Sequence, residues 1–179
     1  MFTINEIFYS IQGEGYHTGT PAIFIRFSGC NLRCSFCDTQ HETGVEMTPE
    51  EILARALQYP ARHLVLTGGE PSLFITEPFI ALLKAQGFYV QIETNGTRPL
   101  PPNIDWVTCS PKEQLLLESA DELKVVYTGQ DLSVFNSFVC SYRCLQPCSN
   151  QNTKEVVAYV LQHPEWNLSV QLHKWLHIA

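Results

Sequence analysis

The sequence predicts an α/β fold, an incomplete (partial) TIM-like barrel of about six parallel strands with reduced helices, as one domain over residues 1–179. Three observations lead there. Short apolar runs rich in β-branched and aromatic residues recur between turn signals along the chain. Helical stretches sit between several of them, and strand–helix–strand alternation implies a mainly parallel sheet with right-handed crossovers. The 179 residues also fall short of the roughly 250 that a full eight-unit barrel takes.

The strands are expected at Thr3–Tyr9, Ala22–Phe27, His63–Thr67, Phe88–Thr94, Trp106–Ser110, Leu123–Tyr127, Tyr142–Gln146 and Leu168–His173. Thr48-Pro49-Glu50-Glu51 is a capping box with proline at the first helical position, so a helix runs from there to about Tyr59. A second helix covers Glu77–Gln86 and stops at Gly87. A third spans Thr153–His163, with Val156, Val157, Val160 and Leu161 on one face and Pro164 just beyond. The stretch between Trp106 and Leu123 is too short for a long helix, so some crossovers reduce to loops. In such sheets the chemistry sits at the carboxyl ends of the strands.

Apolar residues make up 45% of the chain and charged residues only 16%, well below the roughly 25% of an ordinary domain. That points to many buried strands and to a surface partly covered by a partner, for which a homodimer is the expectation. A net charge of -7 gives no electrostatic footprint for nucleic acid. No apolar run approaches the roughly 20 residues that span a bilayer, so no membrane partner is expected. The start, Met1-Phe2-Thr3-Ile4-Asn5-Glu6, lacks the basic opening of a signal peptide, and the expected location is cytoplasmic. There thiols stay reduced. An odd count of seven cysteines suits metal or redox chemistry better than a disulfide framework.

Three of the seven fall in Gly29-Cys30-Asn31-Leu32-Arg33-Cys34-Ser35-Phe36-Cys37, a C-x3-C-x2-C spacing directly after a strand. Three thiolates on one tight loop can hold three irons of a [4Fe–4S] cubane and leave the fourth open to a substrate. By counting alone, His41 keeps a zinc site open as the alternative. One strand further on, Thr67-Gly68-Gly69-Glu70-Pro71 offers two glycines whose backbone carbonyls can approach a ligand, and a carboxylate to set beside an ammonium. Cys140, Cys144 and Cys148 bracket a strand end rather than share one tight loop, which favours buried structural cysteines over an auxiliary cluster without fixing their role.

The cysteine spacing after the first barrel strand resembles that of the radical S-adenosylmethionine superfamily, and Thr67–Pro71 resembles its glycine-rich motif, which binds the methionine amino group. The resemblance implies a [4Fe–4S] cluster on Cys30, Cys34 and Cys37. It also implies S-adenosyl-L-methionine beside Phe36, Asp38, Gly69, Glu70, Glu93, Ser110 and Lys112. Within that superfamily the chain is similar to the 7-carboxy-7-deazaguanine synthases, nearly end to end. Ser10-Ile11-Gln12-Gly13-Glu14-Gly15 resembles their opening S-x-Q-G-E-G, which contacts the pterin. Arg26 matches the arginine that faces the substrate, and Cys37-Asp38-Thr39 resembles C-D-T, whose threonine is a magnesium ligand. Glu93-Thr94-Asn95-Gly96-Thr97, Ser110-Pro111-Lys112, Gln146-Pro147 and Gln171-Leu172-His173-Lys174 recur in that family as well.

This likeness implies conversion of 6-carboxy-5,6,7,8-tetrahydropterin to 7-carboxy-7-deazaguanine with loss of ammonia, a carbon–nitrogen lyase step in queuosine (7-deazapurine) biosynthesis. Substrate contacts then fall on Ile11, Gln12, Gly13, Glu14, Arg26, Thr67, Gln146 and Pro147, with Mg2+ on Thr39 and a flavodoxin-like protein as electron donor. A glycyl-radical activase would share the cysteine loop and the G-G-E-P turn, but has no use for Ser10–Gly15 or for Asp38-Thr39. The chain is short for the family, which leaves the cover of the pocket to loops or to a partner subunit.

Overall fold

The computed structural model describes residues 1–37 and 39–178. Among these residues nine strands join one sheet: β1 (Phe2–Ile11), β2 (Pro21–Phe27), β3 (Val45–Met47), β4 (His63–Gly68), β5 (Tyr89–Thr94), β6 (Trp106–Cys109), β7 (Glu122–Tyr127), β8 (Tyr142–Pro147) and β9 (Asn167–Leu168). Their spatial order is β3-β1-β2-β4-β5-β6-β7-β8-β9. From β2 onward every pairing is parallel, while β1 runs antiparallel to β2 and to β3. Six full parallel strands with a two-residue seventh make the expected incomplete barrel.

The helices are α1 (Pro49–Ala56), α2 (Glu77–Lys84), α3 (Thr153–Gln162) and α4 (Leu172–Leu176). At the start of α1 the Thr48 hydroxyl accepts from the Glu51 N–H at 3.2 Å, and the Glu51 carboxylate accepts from the Thr48 N–H at 2.7 Å. This capping box is the one read from the sequence; the helix stops with Leu57 as its cap, short of Tyr59. The β5–β6 and β6–β7 crossovers carry no helix, and β7–β8 has only a 3-10 turn at Ser133–Phe135.

Strand alternation sorts the residues onto two faces. On the convex face Ile23, Ile25, Phe27, Leu64, Leu66, Val90 and Ile92 pack against Ile52 of α1 and Phe79, Ile80 and Leu83 of α2. A second, smaller cluster joins Leu123, Val125 and Leu145 to Val156 of α3, with Trp166. Each such burial stabilises by roughly 1.5–3 kcal/mol. The alternate positions, from Arg26 through Thr67, Gln91, Glu93, Thr108, Glu122, Lys124 and Gln146, point to the concave face.

Residues 12–20 close the N-terminal end of the barrel. Tyr16 stacks on Trp106 at 4.8 Å between ring centroids, and His17 meets His63 at 4.7 Å; Trp106 and His63 are the first residues of their strands. Gly15 makes this approach possible. Its φ is +68°, and a Cβ there would lie 2.1 Å from Glu122 Oε1.

Two expectations need correction. The strand at Leu168–His173 is only β9, after which Ser169 and Gln171 turn inward to bond Gln146 and Glu14, and α4 follows. The short edge strand β3 was not foreseen. It forms because it finds β1, and nothing local marks it.

Candidate active site

A cavity of about 480 Å³ opens at the C-terminal ends of the parallel strands. Cys30, Cys34 and Cys37 line it, with Phe36, Thr39, Gly69, Glu70, Glu93, Ser110 and Lys112. So do Ile11, Gln12, Gly13, Glu14, Arg26, Thr67, Gln146 and Pro147, and His173 and Lys174 of α4. Every site residue expected from the sequence is therefore brought to one cavity, except Asp38, which lies outside the described residues.

The cysteine loop leaves β2 through Gly29, whose φ is +92°. Its backbone lies against the glycine-rich turn: the Glu70 N–H donates to the Gly29 carbonyl at 2.9 Å, and the Gly69 N–H to the Phe27 carbonyl at 3.0 Å. A Cβ on Gly69 would fall 1.9 Å from that Gly29 oxygen, so the two loops can touch only through glycine. A polar clamp holds the other side, with Asn31 Nδ2 donating to Thr97 Oγ1 at 2.8 Å and Asn95 Nδ2 to Asn31 Oδ1 at 3.0 Å.

The residues fit an iron–sulfur cluster. The three thiols are free of disulfides, and thiolates are the donors such clusters use. Burial pushes the Cys30 and Cys34 thiols above their ordinary pKa, and binding a cluster would strip those protons. Among the described residues, no three His, Cys, Asp or Glu side chains converge closely enough to hold a single ion.

Glu70 is 1% exposed and already engaged. Its Oε1 accepts from the Ser72 N–H at 3.1 Å and the Thr94 hydroxyl at 2.7 Å, and its Oε2 from the Asn95 N–H at 2.7 Å. The carboxylate thus staples the glycine-rich turn to the end of β5 and keeps one acceptor position on Oε2 for a ligand. Lys112 Nζ donates to Ser110 Oγ at 2.6 Å and lies 5.8 Å from the centre of the Phe36 ring. Burial lowers its pKa, with nearby Lys124 acting the same way.

On β2, Arg26 is held at three points. Its Nε donates to Glu6 Oε1 at 2.6 Å, its Nη1 to Thr39 Oγ1 at 3.4 Å, and its guanidinium lies 5.6 Å from the Phe8 ring centre. Phe8 in turn stacks on Phe24, 4.9 Å away and nearly parallel, giving the cavity an aromatic wall.

The floor is built around Lys124, which sequence reasoning missed. Its Nζ bonds Glu14 Oε2 at 2.7 Å and Glu93 Oε2 at 2.8 Å. Gln12 Nε2 donates to Glu93 Oε1 at 3.3 Å, and Gln171 Nε2 to Glu14 Oε1 at 2.9 Å. Burial disfavours a charged Glu14, but Lys124 outweighs it and, with Gln171, holds the carboxyl down at about 2. For Glu93 burial prevails over Lys124, and the negative Glu122 and Glu14 add to it, raising the carboxyl to about 7. Burial also opposes the Lys124 charge, yet its acidic neighbours keep the ammonium protonated. Glu93 therefore carries the labile proton of this group. A signal for Lys124 existed: a lysine inside the apolar run Leu123–Tyr127 has to find a partner when buried.

The C-terminal segment completes the wall. The Leu172 N–H donates to the Gly13 carbonyl at 2.9 Å, and a Cβ on Gly13 would lie 2.4 Å from His173 Nδ1. Cys144 is buried, with Sγ 3.2 Å from Glu122 Oε1, while Cys148 lines the cavity rim. Cys140 precedes β8, Cys144 lies within it and Cys148 follows it, so at roughly 3.3 Å per residue along the strand the three do not converge.

Comparison with known proteins gives a consistent result. Residues 24–126 match the radical SAM superfamily. A 7-carboxy-7-deazaguanine synthase of Bacteroides thetaiotaomicron is 60% identical over 180 residues, which cover 99% of this chain and 99% of that protein. Another, from Neisseria meningitidis, is 38% identical over 202 residues, covering 99% and 94%. The crystal structure of QueE from Escherichia coli superposes with a TM-score of 0.82 at 34% identity, over 96% of this chain and 94% of that one. Streptococcus suis SuiB, solved with its precursor peptide SuiA, shares only the fold, at TM-score 0.51 and 14% identity. The end-to-end match with the Bacteroides protein means that the short form is not peculiar to this chain.

Proposed function

The chain belongs to the radical SAM superfamily and, within it, to the 7-carboxy-7-deazaguanine synthase family, and on that premise we propose how its residues share the work. The enzyme converts 6-carboxy-5,6,7,8-tetrahydropterin to 7-carboxy-7-deazaguanine with loss of ammonia, a lyase step of queuosine biosynthesis. The observation that carries the assignment of roles is that one cavity joins the three-cysteine loop to the Lys124–Glu14–Glu93 floor. When bound, the [4Fe–4S] cluster on Cys30, Cys34 and Cys37 and S-adenosyl-L-methionine supply the radical that abstracts hydrogen.

The chain does the rest by position and charge. Ser110, Lys112, Gly69 and the spare acceptor of Glu70 hold the cosubstrate, Lys112 toward its carboxylate and Glu70 toward its ammonium. Phe36 borders it. Arg26, already fixed by Glu6, offers its remaining N–H groups to the substrate carboxylate. Thr39, whose hydroxyl lies beside the Arg26 guanidinium, would hold Mg2+ through one oxygen ligand. Ile11, Gln12, Gly13, Glu14, Thr67, Gln146 and Pro147 surround the ring. Substrate and product differ by ammonia, so a ring carbon has to give up a proton while a nitrogen leaves. Glu93, with its carboxyl near 7, accepts that proton in its ionised form, and Lys124 keeps Glu14 from competing for it.

Electrons come from a flavodoxin-like protein at the open side of the cysteine loop, where Cys37 is exposed. The enzyme works in the cytoplasm as a homodimer, covering apolar side chains such as Val139, Leu161 and Trp175 that this chain alone leaves exposed. Among the described residues, no helix is long and apolar enough to cross a membrane.

The test is anaerobic turnover of the reconstituted protein with S-adenosylmethionine, dithionite, magnesium and the carboxypterin, read by mass spectrometry. The expected result is 7-carboxy-7-deazaguanine. Production of 5′-deoxyadenosine without the deazaguanine would overturn the substrate. Chelation of magnesium should slow the parent more than a Thr39→Ala variant, and equal slowing removes Thr39 from the metal. Sedimentation measures the dimer.

A further inference from the structure

Beneath the floor a second buried layer of polar groups runs toward the closed end of the barrel, and nothing in the reaction just described uses it. Gln91 is 1% exposed, two residues before Glu93 on β5. Its Nε2 lies 3.0 Å from Glu93 Oε1 and 3.3 Å from Thr108 Oγ1, and its Oε1 lies 2.8 Å from His63 Nε2.

The direction of these bonds follows from the far end of the network. The Glu122 carboxylate accepts from the Tyr16 N–H, the Trp106 indole, the Cys144 thiol and the Thr108 hydroxyl. With its hydrogen spent on Glu122 at 3.0 Å, Thr108 can only accept from Gln91, so the amide must turn its NH2 toward Thr108 and Glu93. Its carbonyl then faces His63, whose Nε2 has to carry a proton. We propose that Gln91 and His63 are positioning residues for Glu93. The Nε2–H of His63, at the opposite end of the barrel, locks the Gln91 amide in the orientation that donates to the Glu93 carboxylate and so favours its ionised form.

The opposite tautomer of His63 would set a bare Nε2 against that carbonyl and leave Thr108 alone to hold the amide, weakening its bond to the ionised Glu93. The proton site on His63 and the proton affinity of Glu93 are thereby coupled. His63 is set in aromatic packing, 4.7 Å from the His17 ring and 5.0 Å from the Tyr89 ring. Burial pulls against its charging and outweighs the Gln91 bond, which favours it, consistent with a neutral ring. The other charged groups facing Glu93 are Lys124 and Glu122 from β7, Glu14 from the loop after β1 and, more distantly, Lys112.

This inference rests on the reading of Glu93 as the base, and the experiment separates the two. The pH profile of turnover is measured for the holoenzyme and for Glu93→Gln, Gln91→Met, Gln91→Glu and His63→Phe. His63→Phe keeps the ring packing and removes the donor. The acid limb should vanish in Glu93→Gln. It should move up by about one pH unit in His63→Phe and Gln91→Met, a roughly tenfold loss at a fixed pH on that limb, and further in Gln91→Glu, where two carboxylates share a proton. A purely structural role would lower turnover equally at all pH values.

If the limb survives in Glu93→Gln, the base is another group and the proposal falls with that reading. If it vanishes there but stays in place in His63→Phe and Gln91→Met, Glu93 remains the base and the proposal alone falls. Nitrogen-15 NMR of histidine-labelled parent protein gives the readout that needs no variant to fold. A proton on His63 Nε2 with a bare Nδ1 supports the inference, and the reverse tautomer overturns it.

Discussion

The cysteine loop and the barrel floor face each other across one cavity but are built by opposite means. Cys30, Cys34 and Cys37 sit on irregular backbone, half-buried or exposed, and the loop is held from outside by the Asn31–Asn95–Thr97 clamp and the Gly29–Gly69 contact. The floor residues Glu93 and Lys124, with Gln91 and Glu122 beneath them, come from regular strands, lie mostly buried on the concave face, and bond to one another. The difference follows from what each must hold. A loop can close around a cluster that brings its own rigid geometry. Proton chemistry needs polar groups fixed before the substrate arrives, and strands fix them.

The comparison breaks most sharply at its two ends. Replacing Cys30, Cys34 or Cys37 with alanine should abolish iron content and turnover. The same changes should leave the unfolding free energy of the cluster-free protein within about 0.5 kcal/mol, because none of the three belongs to the core. Iron assay and urea melts read both. On the floor, Lys124→Met should cost stability as well as activity. It leaves two buried carboxylates without their cation, a loss of about 3–5 kcal/mol in urea unfolding at pH 7. A loss as small as that of the cysteine variants would erase the distinction between the regions.

A pH series sharpens it. Glu93 is raised from 4.5 to about 7 in the fold, so its contribution is fully present below 4.5 and is lost as pH rises through 7. Glu14 is lowered to about 2, so its contribution is present above 4.5 and is lost as pH falls through 2. Between pH 4.5 and 7 His17 and His63, both lowered by burial, oppose this slope, so urea melts should show the parent losing stability relative to Glu93→Gln as pH rises. Smallest of all should be a glycine pair in the plug. Gly15→Ala meets both an unfavourable φ and the Glu122 carboxylate, and should cost about 2 kcal/mol or more. Gly19→Ala, at φ +92° with open space around it, should cost about 1 kcal/mol from backbone strain alone.

Much of this was legible in the chain. The parallel strands from Ala22 to Gln146 showed because buried strands read as apolar runs, and α1 because its capping box is local. The cysteine triplet and the glycine-rich turn showed because their residues are neighbours in sequence. Lys124 did not, since its partners lie 110 residues upstream at Glu14 and 31 residues upstream at Glu93. Glu70 was legible as a site residue, but not as the staple between the glycine-rich turn and Thr94, a bond that exists only when β4 and β5 pair.

The order of the chemistry along the strands can be read in the chain alone: a cysteine loop after one strand, a glycine-rich turn after the next, and polar positions at alternate residues of the rest. Periodicity and turn chemistry are local, and they survive in a single line of text. Only the tertiary structure decided which of those polar positions meet. Closing the sheet brings Glu14, Glu93 and Lys124 together and sets Glu122 beneath them. Burial and the balance of three carboxylates against one ammonium then decide where the proton stays, because charge energies depend on distances through space and on water excluded, neither of which is written along the chain.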